Sequence, residues 1–297
     1  MAIFILFCSF ESRSEVTKQT SLAIVYNSQA LKPSVKLIYK DIIRGIRDGF
    51  GRENNIIEIA DGNYHGWTTN SSIVLGNYAV QQALASNIKS SMVVGAISWF
   101  EESVHGLHIT ADPALVFETM EEIVPRVGKV FIILDTDSRL LNINDLVMSG
   151  KKVGIEVSIK MASNIKDAAV IYSELSKHLQ SHEALWIPPG DRFVNKTLLS
   201  TLLLRSWKSG FTVISSNPSH VSKGVLFALS PDYYLMGVRL GELAIKVYKN
   251  PHIPPRMWPL RDVKLNINRR TANHMGVKIQ PDLKYSHPDK SIYIQVQ

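Results

Sequence analysis

Carboxylates gather where apolar runs of this chain stop. Asp135 and Asp137 follow KVFIIL, and Asp191 follows ALWIPPG. Paired acids can hydrolyse glycosidic bonds. Asp135 and Asp137 are too close in sequence to be placed across a sugar, and Asp191 lies on another run. A lone carboxylate at a cleft edge can instead accept charge-assisted hydrogen bonds from a ligand ammonium, and a turn cap is the other use open to Asp135. Ser215, Ser216 and Asn217 close a further apolar run, as Tyr26, Asn27 and Ser28 close the first. Rings at run ends, Tyr26, Tyr78 and the Trp99-Phe100 pair, either cover a planar or apolar ligand or pack in the core. Trp186, inside its run, reads as core.

Other chemistries lack their residues. No GxxxxGK[ST] occurs, and no G-x-G-x-x-G follows a strand-like run. Gly45, Gly49 and Gly51 sit in the amphipathic helix and its end and read as turn glycines of a helix terminus, which disfavours nucleotide binding. No G-x-S-x-G elbow exposes a serine. His178 and His182, with Glu183 adjacent, have a metal-compatible spacing, and His105 and His108 form a second pair. Both read as surface histidines. HLQSHE lacks the internal glutamate of a zinc protease. The chain reads as no enzyme, with no cofactor and no metal.

The elements that must position these residues alternate along the chain. SLAIVYN reads as a strand, and VKLIYKDIIRGIRDGF as an amphipathic helix with Ile42, Ile43 and Ile46 at helical spacing. NIIEIAD, SSIVLGN and SMVVGAIS add strands, with a helix near YAVQQALAS. After Pro125 the cycle repeats: KVFIILD, VGIEVSIKM, ALWIPPG, FTVISSN and VLFALS are strands. NIKDAAVIYSELSKHLQSH is a helix capped by Asn164, and DYYLMGVRLGELAIKVYKN is another. Strand and helix in alternation imply parallel sheets with right-handed crossovers. The expected fold is α/β with two lobes, and Asp112-Pro113 and the segment before Lys129 are candidate crossings.

With 297 residues the chain is long enough for two lobes. Its formal charge of +7 is spread along the sequence without a basic block, so no nucleic-acid partner is expected. One cysteine, Cys8, excludes an intramolecular disulfide. Cys8 ends the run AIFILFC, too short to span a bilayer and read as the core of an export signal cleaved before Glu15, with a buried N-terminal strand as the alternative. Phe7 before Cys8 argues against a lipid anchor, so the expected compartment is the periplasm.

An ordered series of motifs carries a family resemblance. IVLGNYAVQQAL and MVVGAIS are followed by HGLHITADP, then VPRVGKVFIILD, WIPPGD, VISSN, VSKGVLFALS, DYYLMG and KLNINRRTANHMGV. This succession resembles the substrate-binding proteins of ABC transporters, related to the tryptophan and aromatic amino-acid binding proteins. The resemblance implies a class I periplasmic-binding-protein fold, with each lobe a parallel sheet flanked by helices and a hinge crossed three times. Residues 1–14 are then a signal remnant, 15–123 lobe one, 124–240 lobe two, 241–284 a return segment packing on lobe one or the hinge, and 285–297 a tail with an edge strand.

The implied function is capture of a small molecule, an amino acid or related metabolite, between the lobes. Tyr26, Asn27, Ser28, Asn77, Tyr78 and Ser98 would touch it from lobe one. Asp135, Thr136, Asp191, Ser215, Ser216 and Asn217 would do so from lobe two. The implied partner of this monomer is the membrane permease of an ABC importer or, alternatively, a membrane sensor. Asn77, Tyr78 and His105 depart from the family pattern, and the bulk of Tyr78 and His105 would suit an altered or occluded cleft.

Overall fold

A computed structural model describes residues 21–29, 31–61, 68–86, 90–99, 103–279 and 292–296. The signal-like run with Cys8, and Phe100, lie outside the described residues. The first sheet contains β1 (Ser21–Tyr26), β2 (Asn55–Ala60), β3 (Ser71–Leu75), β4 (Ser91–Ile97) and β5 (His105–Ala111). Helices α1 (Pro33–Phe50) and α2 (Asn77–Leu84) follow β1 and β3. The second sheet contains β6 (Lys129–Asp135), β7 (Glu156–Ala162), β8 (Glu183–Ile187), β9 (Thr212–Ser215) and β10 (Phe227–Pro231). Helices α3 (Pro113–Ile123), α4 (Ile143–Lys152), α5 (Ile165–His178) and α6 (Lys196–Ser209) alternate with these strands, and a 3-10 turn covers Pro218–Lys223. The chain ends with α7 (Tyr233–Lys249), β11 (Met257–Leu260), β12 (Val263–Ile267), α8 (Arg269–His274) and β13 (Ile292–Val296).

Strand order is β11-β5-β4-β3-β1-β2 in one sheet and β13-β12-β10-β9-β8-β6-β7 in the other. All pairings are parallel except β10 with β12. Central strands covered on both faces read as continuous apolar runs. Leu22 to Val25 and Ile73 to Leu75 are accordingly buried. The tail strand is β13, which pairs with β12 at the sheet edge.

The chain crosses between lobes at Asp112, at Asp232 and at Arg261-Asp262, and this corrects the expected boundaries. Helix α3 packs its Leu115, Phe117 and Met120 into the second-lobe core, so lobe one is left at Asp112 rather than after residue 123. Helix α7 buries Met236, Leu240 and Ala244 in the first-lobe core, so the return begins at Tyr233 rather than 241. Strand β12 and helix α8 then rejoin lobe two through Leu265 and Ala272.

Each crossing carries an aspartate bonded to a cation of another segment at the hinge. Asp112 pairs with Arg261 at 2.6 Å, Asp262 with Arg239 at 3.2 Å, and Asp232 with Lys264 at 3.4 Å. The Asp112 amide donates to the Leu260 carbonyl at 2.8 Å, and the Asp232 amide to the Asp262 carbonyl at 3.0 Å.

Helices α1 and α7 run parallel and touch backbone to backbone. A Cβ on Gly45 would lie 2.0 Å from the Tyr234 carbonyl oxygen, and one on Gly237 would lie 2.0 Å from that of Ile42. Gly49 and Gly241 repeat the contact one turn on. Gly45 and Gly49 lie within α1 as expected but form a helix-packing face, which corrects their reading as turn glycines; only Gly51, at φ +93°, ends the helix. Small residues four apart allow such close approach.

Candidate functional site

Both sheets turn the same end toward the gap between lobes. Strand β5 leaves its sheet at Ala111 to cross, and β10 leaves its own at Pro231. Each is parallel to its neighbours β4 and β9. The carboxyl ends of β1, β3 and β4 therefore face those of β6, β8 and β9 across the crossings. Ligands of open α/β sheets bind at these ends.

In lobe one, Tyr26 ends β1 half-buried, its ring centroid 5.9 Å from that of Tyr39. The Tyr26 hydroxyl donates to Glu58 Oε2 at 3.3 Å. Burial, then the Glu58 charge, raise its pKa. Asn27 and Ser28 form the loop that follows. The Ser28 amide donates to Asp61 Oδ1 at 2.6 Å and its hydroxyl to Asp61 Oδ2, while the Gln29 amide adds a bond of 3.0 Å. These donors, the Ser28 hydroxyl foremost, hold the Asp61 carboxyl below its usual pKa. Asp61 itself sits at φ +63°.

Gly76 opens α2 at φ +86°, and a Cβ there would lie 2.2 Å from the Tyr39 hydroxyl. Asn77 and Ser98 bind reciprocally. The Asn77 amide donates to Ser98 Oγ at 2.7 Å, and the Ser98 backbone donates to Asn77 Oδ1 at 3.0 Å. A register shift between Val94 and Ile97, with Ala96 at φ +54°, delivers Ser98 to this position. Tyr78 is 52% exposed.

In lobe two, Asp135 is gripped by Arg192 through Nε–Oδ2 at 2.6 Å and Nη2–Oδ1 at 3.1 Å. The exposed Thr136 donates its amide to the Ala162 carbonyl at 3.0 Å. Asp191 accepts from the Tyr172 hydroxyl at 2.9 Å and the Phe193 amide at 2.7 Å. Burial outweighs these donors and raises its carboxyl pKa. Ser215 Oγ lies 3.0 Å from His220 Nδ1 and accepts from the Asn217 amide at 3.0 Å. Ser216 Oγ accepts from the Trp186 indole at 3.1 Å. Trp186 is otherwise core, edge-on to Phe117. Asn217 caps the 3-10 turn, accepting from the Ser219 amide at 3.0 Å.

Asp135 and Asp191 line one small cavity of about 60 Å³, whose walls are mostly apolar and include Leu140, Ile143, Met161 and Phe193. None of the first-lobe residues lines it. Partners that the sequence reading missed are Asp61, Tyr172, Arg192 and His220. Only Asp61 left a trace, as the Asp-Gly turn after NIIEIA.

The histidines of β5 are not surface groups. His105 is 6% and His108 2% exposed, because β5 lies between β4 and β11. The His105 ring stacks on Trp258 and its Nε2 donates to the Ile253 carbonyl at 3.2 Å. His105 begins β5, at the end away from the gap. Among the described residues no cluster of three metal-ligating groups occurs.

A search of curated proteins finds no match. Solved structures share the fold. A ligand-free, open substrate binding protein with adhesive properties from Clostridium difficile superposes with a TM-score of 0.61 at 15% identity, covering 93% of this chain and 99% of that one. An ABC domain in complex with L-Trp from Streptococcus pneumonia gives 0.55 at 15% identity, covering 94% and 100%. A conserved domain protein from Vibrio cholerae gives 0.55 at 15%, covering 89% and 97%. The family profile of the ABC transporter substrate binding proteins matches residues 80–290, from within α2 through β4 and β5, lobe two, α7 and β11 to beyond α8. With the two-lobed α/β fold around that match, the chain belongs to the ABC transporter substrate binding protein family.

Proposed function

We propose that the protein is an extracytoplasmic solute-binding protein that takes an amino acid or related metabolite between its lobes and delivers it to the membrane permease of an ABC importer. The observation that carries this reading is the pair of facing strand ends, polar on both sides and joined only by three crossings. A ligand bonded to both lobes favours the closed arrangement over the open one, which is a population shift set by differential affinity. No bond need break. Asp191 suits a ligand ammonium: burial penalises its charge, and a cation brought beside it offsets that penalty. Asp135 is already neutralised by Arg192. Tyr26 and Tyr78 would cover an apolar side chain, and Ser98, Thr136 and Asn217 would meet its polar groups. The L-Trp held by the pneumococcal neighbour makes amino acids the first class to try. Among the described residues no helix is long and apolar enough to cross a membrane.

A second reading, a ligand sensor for a membrane protein with an altered cleft, draws on a specific observation. Ser28, Ser98, Ser215, Ser216 and Asp135 are already bonded within the protein. A ligand must exchange those bonds for its own.

Thermal unfolding against a panel of amino acids and small metabolites tests both. At a hundredfold excess over Kd a ligand adds about 2.7 kcal/mol, a rise of about 2–4 °C for a chain of this size. A reproducible rise with one chemical class supports the binding protein. A flat response across the panel sinks capture of these ligands and favours the second reading.

A further inference from the structure

A second cavity, of about 440 Å³, opens between the lobes beside the crossings. None of the twelve residues proposed above lines it. Arg256, His108 and Thr110 face it from lobe one, and Asp145 and Lys152 of α4 from lobe two. Its floor is polar and buried, with Thr110 6% exposed and Asp112 9%.

The charges lining it do not balance. Arg261 is committed to Asp112 at 2.6 Å. Lys152 and Arg256, one from each lobe, are solvent-exposed at the cavity's edge and form no salt bridge among the described residues. The Arg256 guanidinium carbon lies 5.7 Å from the centroid of the Trp258 ring, a cation–π contact that aligns the side chain along β11. Asp145 is the remaining acid on the wall.

We propose that this hinge-side cavity binds a small polyvalent oxyanion, a phosphate or a dicarboxylate, between Arg256 and Lys152. An anion touching both cations bridges the lobes and favours the arrangement in which the two stand across one cavity. Phosphate and carboxylate both suit the planar fork of arginine, and lysine adds a point charge. The site would act apart from capture at the strand ends and does not depend on it.

Calorimetric titration of the full chain with inorganic phosphate, and separately with succinate, tests the proposal, with sodium chloride holding ionic strength constant. Saturable binding of at least one is expected. It should weaken by about tenfold or more in Lys152→Gln/Arg256→Gln, and tighten in Asp145→Asn, where the competing acid is gone. Arg256→Lys, which keeps charge but loses the fork, should fall between parent and double variant. Absence of saturable heat with both anions, or equal binding by parent and double variant, overturns the proposal. Melting curves of the variants without anion separate a lost site from a lost fold, and Asp145→Asn tests the site without removing either cation. The amino-acid panel reads capture independently, so either idea can fail alone.

Discussion

Nδ1 of His108 lies 2.7 Å from the Thr110 hydroxyl and accepts the Thr110 backbone amide at 3.3 Å. An imidazole that accepts at Nδ1 must carry its proton on Nε2, so a second proton would meet an N–H rather than a lone pair. Burial dominates over a backbone hydrogen bond with Ser98 that works the other way, and the pKa of His108 falls from 6.5 to about 4.

The sign of the resulting pH dependence follows. Below pH 6.5 the unfolded chain takes up a proton that the folded chain refuses, so stability is full above 6.5 and declines as pH falls toward 4. The loss should reach about 3 kcal/mol at 1.36 kcal/mol per unit. Burial lowers His220 as well, in the same direction. Urea unfolding at pH 7 and pH 4.5 should show a smaller loss in His108→Gln than in the parent; equal losses would remove His108 from this account.

Replacing Gly237 by Ala should destabilise the fold by about 1–3 kcal/mol or more, because the new methyl meets backbone rather than a movable side chain. Gly154→Ala is a useful contrast, since nothing lies within 4 Å of its added Cβ and its cost comes from the positive φ of +75° alone. Denaturant midpoints of the two variants should differ, with Gly237→Ala much the lower.

Arg261→Ala leaves Asp112 without its cation at the first crossing, and Asp112 also caps α3 through the Ala114 amide at 3.0 Å. A cost of about 1–3 kcal/mol is expected from the unpaired, mostly buried carboxylate. Arg44→Ala, whose Asp41 pair is exposed on both sides, should move stability by under about 1 kcal/mol. Thermal unfolding of both variants checks the contrast.

Asp61→Ala should free the loop after β1. The Ser28 and Gln29 amides lose their acceptor, so their hydrogen exchange should quicken while that of buried Val25 stays slow. Unchanged exchange at Ser28 and Gln29 would mean that the carboxylate does not order the loop.

The strands were legible because each is a short apolar run that ends in a polar residue, as in LAIVYN and VFIILD. Helix α7 was legible for its length and its stop at Asn250-Pro251. The pairings within the candidate site were not. Asp61 reaches Ser28 across 33 residues, and Arg192 reaches Asp135 across 57; no periodicity encodes such a meeting. His105 and His108 read as a surface pair, yet β11, from much later in the chain, covers that edge of the sheet. Gly45 and Gly49 have no visible purpose until Gly237 and Gly241 stand opposite them.

The three crossings also set an order of completion during synthesis. Lobe one lacks α7 until residue 249 and β11 until residue 260 have been made, and lobe two lacks β12 and α8 until residue 274. Ile42 and Ile46 of α1 cover part of their apolar face only with α7. Lobe one is completed only after β6 to β10 of lobe two have been made, and lobe two only after the last strand of lobe one, so neither lobe can be finished before the chain has passed residue 260.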